Sequence, residues 1–78
     1  MRIKVARSAR RHKMGVAHIR AAVANAEFVG FRGSLAIYHG TDDRGLAIEL
    51  GMRQAAEDEE LFIVVHAMPL RFRNGEGE

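Results

Sequence analysis

Residues 61–68, LFIVVHAM, restrict the fold of this chain more than any other stretch. His66 is the one polar residue in the run, and Ile63, Val64 and Val65 are β-branched, so the segment suits an extended strand. Alternate strand residues face opposite ways, which puts Phe62 and Val64 on one side and Leu61, Ile63 and Val65 on the other. Both sides are apolar, so the strand is expected to lie centrally or to have one face completed by a partner or a second copy. A helical membrane span takes roughly 20 apolar residues, far more than this run supplies, and no membrane association is expected. Pro69 ends the ladder because proline has no N–H to donate, and Arg71 and Arg73 follow it. A histidine at the mouth of a core strand with two cations beyond it fits one wall of an anion site. It fits an ordinary strand end as well.

The other segments must supply the sheet and its cover. Val16, Ile19, Val23 and Ala26 recur at steps of three and four, one stripe of an amphipathic helix. Residues 5–13, VARSARRHK, have the Ala, Arg and Lys content of a second helix, separated from the first by Met14 and Gly15. The period then changes to two. EFVGFR and SLAIYH, joined at Gly33 and Ser34, read as a hairpin, and GTDDRG reads as a turn. LAIEL alternates, with Leu46, Ile48 and Leu50 on one face and Ala47 and Glu49 on the other. RQAAEDEE reads as a longer connection with room for one helical turn. The expected fold is α+β: two N-terminal helices on one face of a four-stranded antiparallel meander, with the other face open.

The whole chain, residues 1–78, makes one domain, and its last residues, 74–78 (NGEGE), are expected to fray. A domain this small buries only about 60% of the surface its unfolded chain exposes, so its stability margin is thin. It has no cysteine, which excludes disulfides and cysteine-held zinc and fits the reducing cytoplasm, the expected location. The net charge is only +2 but is unevenly spread. Arg2, Lys4, Arg7, Arg10, Arg11, Lys13 and Arg20 precede the first acid, Glu27, whereas acids gather at Asp42-Asp43 and at 57–60. A basic end facing an anionic partner is one reading of this asymmetry, and a solvated basic surface is the other.

Taken together, ARSARRHKMGVAHIRAAV, LAIYHGTDDRGLAIEL and FIVVHAMPLR resemble the small toxins of bacterial type II toxin–antitoxin modules. The resemblance is to the BrnT-like group within the RelE-like ribonuclease fold, and it runs over roughly residues 5–73. Its carriers are the basic ARRH segment, the DRG turn and the closing VVHAMPLR. It implies a toxin that cleaves RNA without a metal or other cofactor and is held inactive by a cognate antitoxin.

Such cleavage turns the ribose 2′-hydroxyl into a nucleophile against the adjacent phosphate. It needs a base, cations for the charge growing on phosphorus, and an acid for the departing 5′-oxygen. Histidine suits the proton transfers because its unperturbed pKa lies near about 6.5, and arginine suits the phosphate because it is permanently charged and bidentate. His66 and His12 are therefore the candidate catalytic residues, and Arg10, Arg11, Lys13, Arg44, Arg71 and Arg73 the candidate phosphate ligands. Arg44 also reads as turn chemistry. His18, His39 and Tyr38 read as structural, and the acidic pair Asp42-Asp43 lacks the further oxygen ligands of a metal site. The competing function is a non-catalytic module that binds nucleic acid, or pairs with an antitoxin, through the same basic face. It would need cations and stacking groups but no base.

Overall fold

A computed structural model describes residues 2–10 and 14–73, the last two by backbone alone. In chain order the elements are β1 (Arg2–Val5), a 3-10 turn (Arg7–Arg10), α1 (Val16–Ala24), β2 (Glu27–Arg32), β3 (Leu35–Thr41), β4 (Ala47–Ala55), β5 (Asp58–Pro69) and α2 (Leu70–Arg73). The strands form one sheet in the order β1-β5-β4-β3-β2. Strands β2 to β5 pair antiparallel with their chain neighbours, and β1 pairs parallel with β5. Pro69 is the last residue of β5, opposite Ile48. Among the described residues no helix is long and apolar enough to cross a membrane.

This corrects the expected two helices on a four-stranded antiparallel meander: one N-terminal helix covers a five-stranded mixed sheet. The extra strand comes from RIKV, in which charged and branched residues alternate. Ile3 and Val5 pack against the core from it, and the Ala6 N–H continues the ladder to the Val64 carbonyl at 2.9 Å. Residues 7–10 then make only a single 3-10 turn, because Ser8 Oγ is tied to the Val65 carbonyl at 2.8 Å and Ala9 is buried. RQAAEDEE is not a loop with a helical turn either. Strands β4 and β5 run through it and turn at residues 56–57.

Helix α1 buries Ile19 and Ala22 against Ile48, Leu50, Met52, Val64 and Ala67, and Ala9 and Met14 close one end of this core. Gly40 lets the helix approach β3, since a Cβ there would collide with the Ala22 carbonyl. Asn25 then clamps the helix end to the sheet: its Oδ1 accepts the Thr41 N–H at 2.7 Å and its Nδ2 donates to the Thr41 carbonyl at 2.8 Å. With 9 residues, α1 is about 13.5 Å long, whereas β5, with 12, reaches about 40 Å. The helix therefore covers only part of one sheet face. Glu49, His39 and His66 lie on the opposite face from α1, with Leu70 of α2 at the edge of that face.

Two bulges decide which side chains reach that open face. In β5 the register passes from Met52↔Val64 to Gly51↔His66, so Val65 is extra. Strict alternation would have placed His66 beside Val64 in the core, and the bulge turns it to the open face instead. In β2 the extra residue is Val29, between Phe28↔Tyr38 and Gly30↔Ile37.

Candidate functional site

At the centre of the open face lies a buried carboxylate. Glu49 projects from β4 between Ile48 and Leu50, whose side chains enter the core on the other side, and it is 0% exposed. Burying a charge is costly unless it is paired and hydrogen-bonded, so its neighbours matter. His66 Nε2 donates to Glu49 Oε2 at 3.0 Å. Arg32, from the end of β2, donates through one terminal nitrogen to Oε1 at 3.2 Å. His39 Nε2, from β3, is 3.9 Å from the same Oε1. One carboxylate thus accepts from an arginine and a histidine and has a second histidine close by, drawn from the three other strands of the meander. Among the described residues no buried side-chain nitrogen or oxygen lacks a partner.

The backbone explains why these side chains converge. His39 is the direct cross-strand partner of Glu49 in the β3–β4 hairpin, and His66 lies opposite Gly51. Gly51 has no side chain to fill the space, so the end of Leu35 and the His66 Cβ close over it. Beside Glu49 lies a shallow cleft of about 260 Å³ lined by Gly30, Arg32, Ile37 and His39. A second, of about 300 Å³, is lined by Asn25, Glu27, His39, Thr41 and Leu70. Both clefts share His39. They are at or below the small end of pockets that enclose whole small molecules, roughly 300–1,000 Å³, and suit successive segments of an extended chain.

The arrangement can move protons. An ionised carboxylate only accepts hydrogen bonds, so His66 Nε2 is the donor in this contact and Glu49 fixes the orientation of the ring. A carboxylate so placed favours an imidazolium beside it, the arrangement of an oriented proton carrier. Arg32 is half exposed and spends one N–H on Glu49, leaving further guanidinium donors for an anion at the cleft.

Of the expected site residues, His66 belongs to this cluster. Arg71 is exposed on α2, directly beyond the end of β5, and Arg73 lies in the same helix, described by its backbone alone. Arg10 is exposed at the end of the 3-10 turn. Arg11, His12 and Lys13 lie outside the described residues. Arg44 holds Asp42 in the β3–β4 turn, through Nε at 2.9 Å and a terminal nitrogen at 2.7 Å. The Asp42 carboxylate also accepts the N–H groups of Arg44 and Leu46. Burial alone would raise its pKa, but the Leu46 N–H and then the Arg44 donors outweigh that and hold it at about 2.

Ligand atoms of His18, Asp42 and Asp43 lie within 4.8 Å of one another, with His18 Nδ1 and Asp43 Oδ1 2.5 Å apart. The Asp42 oxygens are already engaged by four donors. This group is a clasp between α1 and the turn, not a chelating set.

The sequence reading missed Glu49, Arg32 and His39. Pairing LAIYHGT with LAIEL across the DDRG turn sets His39 opposite Glu49, and that was the available signal. The roles of Arg32 and His66 depend on bulges that leave no such mark. Compared with family models, curated proteins and solved structures, the chain matches none.

Proposed function

We propose that this protein is a small metal-independent endoribonuclease whose active site is the Glu49 cluster on the sheet face opposite α1. The observation that carries the reading is the 3.0 Å contact between His66 Nε2 and the buried Glu49, with His39 and Arg32 on the same carboxylate. His66, oriented by Glu49, takes the proton of the ribose 2′-hydroxyl as its oxygen attacks phosphorus. The bond from phosphorus to the 5′-oxygen breaks, and His39 delivers a proton to that leaving oxygen. The products are a 2′,3′-cyclic phosphate and a 5′-hydroxyl end. Arg32 neutralises the charge on the phosphoryl oxygens, and Arg71, the residue after Leu70 at the second cleft, binds a neighbouring phosphate. The resemblance to BrnT-like toxins supports the same reaction and adds a cognate antitoxin as the inhibitor.

The test compares cleavage, RNA affinity and folded fraction on the same preparations. His66→Ala should lower cleavage by about 10²–10⁴ with affinity nearly unchanged. Arg32→Ala should weaken binding to all sequences alike and reduce its salt dependence. A folded His66→Ala protein that cleaves at the parental rate would remove His66 from the mechanism. Binding without cleavage by the parent, on free RNA and on translating ribosomes, would instead indicate a binding module.

A further inference from the structure

The exposed large apolar residues among those described are Phe28, Val29 and Phe31, and all three lie on β2. β2 is also an outer strand of the sheet, with β3 on one side only. Edge strands of soluble proteins are usually blunted with charge, proline or a covering segment, because their unpaired N–H and C=O groups recruit another strand. This one has charges only at its ends, Glu27 and Arg32, and presents aromatic side chains between them, with Phe31 71% exposed.

We propose that β2 is a homodimer interface, pairing antiparallel with β2 of a second copy so that the two sheets become continuous. The strand reads Glu27-Phe28-Val29-Gly30-Phe31-Arg32, which is complementary to itself when reversed. An antiparallel pair centred between Val29 and Gly30 sets Glu27 opposite Arg32, Phe28 opposite Phe31, and Val29 opposite Gly30, each in both directions. Opposite charges and aromatic pairs are the contacts that stabilise facing strands.

The face of each residue agrees with this register. The Val29 bulge puts Phe28 and Phe31 on the same side, beside Tyr38, where their rings already meet edge to face with centroids 5.2 Å apart. A two-fold axis perpendicular to the sheet keeps that side common to both copies, so the Phe28 and Phe31 rings of one stack on those of the other. Glu27 and Arg32 both pair with open-face residues of β3, His39 and Leu35, so they meet on the open side. A Cβ built at Gly30 would touch nothing within 4 Å, which leaves room for the facing Val29. The pairing also brings Glu27 of the second copy beside Arg32, so dimerisation adds a carboxylate at the rim of the Glu49 cluster. The dimer itself rests on the strand and not on the proposed chemistry.

Sedimentation velocity should show a concentration-dependent monomer–dimer equilibrium. Glu27→Arg, at an exposed position, should leave thermal unfolding of the dilute chain unchanged and weaken the dimer about tenfold, since both charge pairs become repulsive. The chain has no native cysteine, so register can be read by cross-linking. A mixture of the Phe28→Cys and Phe31→Cys chains should form a disulfide dimer under mild oxidation much faster than either chain alone. A chain that stays monomeric at every concentration overturns the proposal. So does cross-linking of Phe28→Cys with itself in preference to the mixture, which would place the strands in another register.

Discussion

Gly40 and Gly51 occupy neighbouring central strands, and each is buried, yet different things press on them. Against Gly40 lies backbone: the carbonyl of Ala22, in the last turn of a helix clamped at that same end by Asn25. Against Gly51 lies the tip of a leucine side chain and the Cβ of His66. The covered face is therefore sealed by parts that cannot yield separately. The open face is sealed by side chains that can rotate, above a buried carboxylate. Stability is concentrated on the first face, and the groups able to do chemistry lie on the second.

The largest effect should follow Gly40→Ala. The added methyl cannot share space with the Ala22 carbonyl, so the helix must lift or β3 must bend, at a cost of about 3 kcal/mol or more. Chemical denaturation would measure it. The next is Glu49→Ala, which strips Arg32 and His66 of their common acceptor. Those partners keep partial access to water, so the cost is about 1–3 kcal/mol, accompanied by loss of cleavage. Gly51→Ala should be milder, about 1 kcal/mol, because the Leu35 tip can move aside. Its methyl also crowds the His66 Cβ, so cleavage should fall by more than the folded fraction does. Equal destabilisation by Gly40→Ala and Gly51→Ala would erase the distinction between the faces.

The covered face was the more legible in the sequence. Its signals are local: the stripe of Val16, Ile19 and Val23, the alternation of Ile48 and Leu50, and the stop at Pro69. β1 was hidden because its partner β5 begins more than fifty residues later, and a parallel pairing at that distance leaves no turn to read. The open face was harder for a different reason. A bulge shifts every later side chain to the opposite side without altering composition, so Val65 moves His66 out of the core and into contact with Glu49. His66 was recognised by residue type, and its partner was not. Arg44 reads the same way for turn and phosphate chemistry, because both ask for an arginine.

The smallest effect tests the contrast between the two buried acids among the described residues, Glu49 and Asp42. Glu49 is satisfied by Arg32 and His66 from two other strands, with His39 of a third close by, whereas the Asp42 carboxylate is satisfied by donors within four residues of itself. Asp42 should therefore act as a turn brace with no part in cleavage. Its pKa is lowered from 3.8 to about 2, so the folded chain holds the ionised form more tightly than the unfolded chain does. The resulting stability is fully present above pH 4 or so and is lost as the pH falls through about 2. In Asp42→Asn the Oδ1 position can still accept the Arg44 and Leu46 N–H groups, but nothing there titrates. The difference in urea midpoint between parent and Asp42→Asn should accordingly narrow as the pH is lowered from 5 toward 2, by the fading of the parent's advantage. Cleavage per folded molecule at neutral pH should be the same in both. A large loss of cleavage in folded Asp42→Asn would assign the turn to the active site, and the division between a structural acid and a chemical one would fail.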